Sequence, residues 1–166
     1  MEHRLLLGNG ARSDLRESVG GILSIGKNPW RVRMLTLNFS DFELFKGITL
    51  REIIKRLARR GVITTIVVGG KPVKEEDKSF CEELLDEGVE IYFNDRVHAK
   101  VILAEGKKEN SAIIMSANLT KSGLFYKYEV GVFLSPLNYE DYKSLRDYTS
   151  DIVGAPIKTK PIEMVF

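Results

Sequence analysis

The sequence is poor in the residues that thiol and metal chemistry require: of 166 residues, one is cysteine and two are histidine. A lone cysteine, Cys81, excludes an internal disulfide and is compatible with a reducing compartment. Two histidines, His3 and His98, put a histidine-rich metal site out of reach within one chain, and no Cys-x-x-Cys pair is present. A carboxylate-only magnesium site has no obvious cluster to support it, so no metal and no cofactor is expected. No apolar run approaches the ~18 residues of a membrane span, and the N-terminus lacks the apolar core of a signal peptide. These absences predict a cytoplasmic protein with no membrane partner. The net charge of +2 is nearly balanced and does not by itself announce a nucleic-acid binder. What is present, 43% hydrophobic and 29% charged residues, is the profile of a globular chain, and residues 1–166 fit one domain of ordinary size.

Periodicity predicts strands alternating with helices. Leu15 to Ile25 is weakly helical, with Gly20-Gly21 inside it. "WRVRMLTLNF" (30–39) reads as a strand. "TLREIIKRLARRG" is the clearest helix: Thr49 and Glu52 form a capping box, Leu50, Ile53, Ile54 and Leu57 make an apolar stripe, and Gly61 stops it. "VITTIVVGG" (62–70) is a buried strand, followed by a helix over roughly 75–87. "VEIYF" (89–93), "AKVILA" (99–104), "SAIIM" (111–115) and "YEVGVFL" (128–134) read as strands, with "GKKEN" (106–110) turning one hairpin. Asn138 can cap a last helix running to about Val153, and the assignment of the tail after it stays open. The expected fold is α/β, a mixed β-sheet flanked by helices on both faces.

One stretch does not suit a simple core strand. In "RVHAKVILAEG" (96–106), His98 and Lys100 are two residues apart, so in an extended chain they project together, roughly 6–7 Å apart. The hairpin partner ends in "SANLT", which brings Ser116 and Asn118 to the same sheet edge. The next strand carries Glu129 among apolar residues, and a buried strand carboxylate needs a partner; a histidine ring N–H is a good one, because it fixes the tautomer. The set comprises a nucleophile (His98), a cation for an oxyanion (Lys100), neutral donors (Asn118, Ser116) and an orienting acid (Glu129). It suits a tetrahedral phosphoryl group, attacked by an imidazole nitrogen without metal. The bland alternative is a core histidine beside an edge lysine.

His98-x-Lys100, the acid Glu105 beyond it, then Ser116-x-Asn118 and Glu129, resembles the HKD motif of the phospholipase D superfamily, over roughly residues 14–150. The resemblance implies a phospholipase D-like α/β/α sandwich and a phosphohistidine at His98. It also implies phosphate oxygens held by Lys100 and Asn118, and Glu129 orienting a histidine. Glu105 replaces the motif aspartate, which is mostly a structural partner in the family. The interval from Glu105 to Met115 is longer than the family's, and the "GKKEN" turn accounts for it. Met115 stands where the family has glycine beside the serine, so a bulkier side chain is expected near the site. The family needs two such motifs and this chain carries one, since His3 is followed by Arg4 and Leu5. A homodimer bringing two His98 side chains together is the economical solution.

Small single-motif members resemble nucleases, so the expected substrate is nucleic acid, DNA or RNA. The alternatives are a noncatalytic nucleic-acid-binding or assembly module and a phospholipid phosphodiesterase. Arg96 and Lys121, with Lys71, Lys74, Lys107, Lys108 and Lys127, are expected around the site as phosphate contacts. Arg51, Lys55 and Arg59 form a helical row that is either a solvated face or a phosphate track. Phe125, Tyr126 and Tyr128 are either core or stacking surfaces for unpaired bases.

Overall fold

The computed structural model describes residues 2–8, 14–24, 28–155 and 158–166. In chain order the elements are β1 (Glu2–Gly8), α1 (Asp14–Leu23), β2 (Pro29–Thr36), the short pair β3 (Glu43–Phe45) and β4 (Ile48–Thr49), and α2 (Leu50–Arg59). There follow β5 (Ile63–Val68), α3 (Glu75–Asp86), β6 (Glu90–Phe93), β7 (Val101–Gly106), β8 (Asn110–Met115), β9 (Glu129–Ser135), α4 (Tyr139–Val153) and β10 (Lys160–Pro161). Eight strands form one sheet in the order β1-β9-β8-β7-β2-β5-β6-β10. β2, β5 and β6 run parallel, as strands joined through α2 and α3 must, and the remaining pairings are antiparallel.

The helix ends follow the local chemistry. The Thr49 hydroxyl accepts from the Glu52 N–H at 3.2 Å and the Glu52 carboxylate accepts from the Thr49 N–H at 3.1 Å, closing the capping box on α2. Asn138 caps α4 by accepting from the Asp141 N–H at 2.8 Å. α1 spans Asp14–Leu23; Ile25, at the end of the expected helix, lies outside the described residues.

Alternation along the strands divides the interior into two layers. Val32 and Met34 of β2, Ile66 and Val68 of β5, Ile102 of β7 and Ile113 of β8 pack against α1, α2 and α3 in the main core. Their sequence neighbours Leu35, Val67, Val101, Leu103 and Ala112 face the other way, toward Tyr142, Leu145, Ile152 and Val153 of α4. The sheet is therefore mixed and covered by helices on both faces, as the sequence predicts. The tail adds an edge strand: β10 pairs with β6, and Asn94 Nδ2 donates to Thr159 Oγ1 at 3.0 Å. One boundary differs from expectation. Regular β7 begins at Val101, so His98 and Lys100 precede the strand rather than lie within it.

Glu105 ties three elements together beneath α4. It is 1% exposed and accepts from Arg33 Nε of β2 at 3.0 Å and from the Tyr142 hydroxyl of α4 at 2.7 Å. Arg33 Nη1 also donates to Ser150 Oγ at 2.6 Å. Burial, then the bond to Glu105, pushes the Tyr142 hydroxyl above its ordinary range and keeps it a donor. Glu105 thus serves structure on the face away from the main core. Replacing it with the isosteric Glu105→Gln leaves the Arg33 guanidinium buried without its counter-charge. We expect a loss of about 3 kcal/mol in urea unfolding, with Tyr142→Phe costing about 1 kcal/mol.

Candidate active site

Strand direction gathers the candidate residues at one end of the sheet. β7 runs antiparallel to β2 with Val101 opposite Leu35, so the residues just before β7 meet the C-terminal end of β2. β8 returns to the same end, where Met115 faces Gly131, and β9 starts there with Glu129 opposite Gly8. His98, Lys100, Ser116, Asn118 and Glu129 are all delivered to the carboxyl ends of the parallel strands β2 and β5, where open α/β sheets hold their ligands.

His98 and Lys100 are in contact. Lys100 Nζ lies 3.2 Å from His98 Nδ1; the lysine is buried and the ring is exposed. An ammonium only donates, so Nδ1 accepts and the neutral ring carries its proton on Nε2. The Lys100 carbonyl accepts from the Met115 N–H at 3.1 Å, extending the β7–β8 ladder past the end of β7. The turn ahead of His98 is fixed from below: Asn94 donates its N–H to the Val68 carbonyl at 3.0 Å and accepts from the Arg96 N–H at 3.0 Å. Gly69 sits directly against the Val97 carbonyl, where a Cβ would stand 1.9 Å from the oxygen. Arg96 is exposed on that turn.

Asn118 is oriented by residues the sequence did not single out. Its Oδ1 accepts from the Asn38 N–H at 3.3 Å, which leaves the Nδ2 hydrogens for a ligand. Thr36, at the end of β2, donates to the Asn38 carbonyl at 2.8 Å and accepts from the Leu119 N–H at 3.1 Å, pinning the Asn118 loop to the β2 loop. A buried threonine that ends a central strand beside this loop is the only signal the sequence holds for that role.

Within its own chain Glu129 meets a serine rather than a histidine. Its carboxylate accepts from the Ser116 hydroxyl, which in turn accepts from the Val130 N–H at 3.0 Å. The ring nitrogen of His98 has Lys100, not Glu129, as its partner. Met115 differs from expectation: it is buried in the main core opposite Gly131, whose missing side chain leaves it room, so it does not crowd the site.

A cavity of about 680 Å³ adjoins these residues, and Asn118, Lys121, Lys127 and Glu129 line it together with Lys71 and Lys74 of the β5–α3 loop. Lys107 and Lys108, expected beside the site, instead lie in the turn at the other end of β7, six residues of strand away. The Arg51, Lys55, Arg59 row is not a phosphate track. Arg51 pairs with Asp41 at 3.0 Å and Glu83 at 2.7 Å, Lys55 with Glu83 at 3.5 Å, and Arg59 Nε with Glu87 at 3.0 Å. The row zips α2 to α3, and its bond to Arg59 holds the Glu87 carboxyl below its usual range. Phe125 packs edge-on to Phe42 with centroids 6.0 Å apart, whereas Tyr126 and Tyr128 are exposed. Cys81 also lines the cavity, but burial pushes its thiol up to about 12, which keeps it protonated and unreactive.

The close approach of Gly69 to Val97 makes a testable demand on the site. Gly69→Ala should displace the 94–98 turn, cost about 1–3 kcal/mol in unfolding, and reduce turnover per folded molecule at least tenfold. Unchanged turnover would mean that the turn does not set the position of His98.

With this geometry in hand, known proteins offer a comparison. The family model described as "Cardiolipin synthase, PLD-like domain" matches residues 25–148. No curated protein matches the chain. Among solved structures, Nuc from Salmonella typhimurium, a phospholipase D family member, superposes with a TM-score of 0.70 at 17% identity, covering 90% of this chain and 93% of that one. NucT from Helicobacter pylori does so with a TM-score of 0.65 at 15% identity, over 92% and 97% of the respective chains. Phosphatidylserine synthase from Haemophilus influenzae Rd KW20 gives 0.69 at 15% identity, over 98% of this chain and 41% of its own length. At these identities the structural likeness is one of fold. The family match spans most of the sequence, and on that ground the chain belongs to the phospholipase D-like (PLD-like) domain family.

Proposed function

We propose that the protein is a phosphodiesterase that cleaves nucleic-acid phosphodiester bonds at a homodimer interface, through a phosphohistidine intermediate on His98. The observation that carries this reading is the convergence of the His98 ring, the Lys100 ammonium and the free Asn118 amide at one end of the sheet. Lys100 and Asn118 would hold two non-bridging oxygens while His98 Nε2 forms a bond to phosphorus and the P–O bond to the leaving group breaks. His98 of a second copy would give its proton to that leaving oxygen. A water, deprotonated by the same second ring, would then attack phosphorus and break the N–P bond, freeing His98. Arg96, exposed on the turn before His98, and Lys121, in the cavity lining, would meet neighbouring phosphates.

The tautomer also argues for a second copy. With Nδ1 accepting from Lys100, the neutral ring carries its one proton on Nε2, which suits neither role: the nucleophile needs a bare Nε2, and the acid needs a doubly protonated ring whose Nδ1–H donates. Attack requires Nδ1 to donate to a carboxylate, and Glu129 of the second copy is the candidate, released from Ser116. An apolar row near the site is available to bury between copies. Leu5 and Leu7 of β1 lie beside Val132 and Val130 of β9, Ile114 of β8 pairs with Val132, and Leu5, Ile114 and Val130 are 64%, 40% and 49% exposed.

In EDTA, His98→Ala should lower nuclease turnover by about a thousandfold or more without unfolding the protein. Nucleic-acid binding with no wild-type turnover would instead make it a noncatalytic module, and turnover confined to phospholipid vesicles would make it a lipid enzyme. Glu129→Gln keeps the shape and removes the charge; we expect turnover to fall about 10–100-fold with the melting temperature and sedimentation unchanged. Lower thermal stability with an unaltered rate per folded molecule would assign Glu129 to the sheet alone. A fully active monomer would contradict the dimer.

A further inference from the structure

We infer that the cavity beside the site is a second binding site, one that grips the strand flanking the cleaved bond and selects unpaired nucleic acid. The inference rests on the proposed nucleic-acid substrate for its setting, and it is tested by binding alone. The cavity shares Asn118 and Glu129 with the candidate site, so it opens beside the amide proposed to hold the phosphate.

Its charge is positive once internal pairs are removed. Arg51 is held by Asp41 and Glu83, and Lys74 lies 3.8 Å from Glu76. Asp77 sits in the first turn of α3, where the helix N-terminus offsets its charge, and Glu129, hydrogen-bonded by the neutral Ser116, is one carboxylate against the three lysines that follow. Lys71, Lys121 and Lys127 remain exposed, and among the described residues none of them has a carboxylate within ion-pair distance. Lys71 Nζ rests 5.6 Å from the Phe93 ring centre and Lys121 Nζ 5.8 Å from that of Tyr126. Three ammonium groups around one opening suit a polyanion with phosphates beyond the one being cleaved.

Tyr126, outside the cavity lining but beside its residue Lys121, supplies the preference for single strands. Its ring is 65% exposed, and its hydroxyl has no partner among the described residues. The π-helical turn that carries it, Ser122–Tyr126, is locked to the Asn118 loop: the Gly123 N–H donates to Thr120 Oγ1 at 3.1 Å, and a Cβ on Gly123 would stand 2.5 Å from the Asn118 carbonyl. The aromatic face is therefore held at a fixed offset from the phosphate-binding amide. A base can lie on that face only when it is unstacked from a duplex. Phe125 turns inward, and of the two exposed tyrosines Tyr126 is the one whose ring lies beside a lysine of the cavity lining, Lys121. A second copy seated here about a two-fold axis would set these lysines against their own images, which disfavours a second copy of this chain as the occupant.

The test is fluorescence anisotropy with full-length His98→Ala protein in EDTA, using labelled strands of about twelve nucleotides as thymidine DNA, uridine RNA and a mixed-sequence DNA duplex. Single strands should bind at least tenfold more tightly than duplex. The two single-strand arms decide between DNA and RNA. Adding Tyr126→Ala should weaken single-strand binding about tenfold, with Tyr126→Phe restoring it. Combining Lys71→Ala, Lys121→Ala and Lys127→Ala should flatten the log–log salt dependence by about 2, near 0.7 per lost contact. Equal affinity for duplex, an unchanged salt slope, Tyr126→Phe as damaging as Tyr126→Ala, or a shift in sedimentation on Tyr126→Ala would each overturn the inference. Failure of wild-type protein to cleave any phosphodiester would overturn the proposed catalysis while leaving this binding pattern standing.

Discussion

The antiparallel pairing of β7 against β2 is the constraint on which the rest of the structure depends. β2, β5 and β6 run one way because helices connect them, and a strand added in the same sense would open the β7–β8 hairpin at the opposite edge. Reversing β7 places the start of the hairpin beside the end of β2, and each antiparallel return after it brings another strand terminus to the same place. The buried Glu105–Arg33 pair holds these two strands in register at their far ends. It also fixes which face α4 covers, through the Tyr142 hydroxyl. Packing and ion pairing at one end of the sheet thus position side chains at the other.

The same separation governs charge. On α2 each row cation is matched by an acid on α3 or by Asp41, so that surface offers no net field to a ligand. Near the site Lys74 pairs with Glu76, but Lys71, Lys121 and Lys127 have no such match among the described residues, and all three line one opening. Charge that is neutralised by its own protein stabilises an interface; charge left free in a concave surface recruits an anion. A formal charge of only +2 conceals this arrangement, because the sum is taken over both populations.

Much of the fold was legible because its signals are local. The capping box on α2, the Asn138 cap, the alternation read in β2 and the short apolar runs of β5 and β8 each depend on residues close together in the chain. The grouping of His98, Lys100, Ser116 and Asn118 was legible from spacing plus one hairpin. What escaped the sequence depends on distant partners. The basic row on α2 could not be told from a phosphate track until α3 laid Glu83 and Glu87 beside it. Lys107 and Lys108 are close to the motif in sequence but lie across the length of β7 in space. Glu129 was read toward His98, yet within one chain Ser116 is nearer to hand. Thr36 and Asn38, which set the Asn118 amide, lie some eighty positions away in the chain and carry no motif.

The central claim is that His98 itself becomes covalently linked to phosphorus. Intact-mass and peptide spectrometry of protein quenched within the first turnover of a defined oligonucleotide tests it most directly. The account predicts a nucleotidyl adduct on His98, acid-labile as an N–P bond should be, that accumulates in wild-type protein and is absent from His98→Ala. Turnover without any adduct, or an adduct on a side chain other than His98, would contradict it.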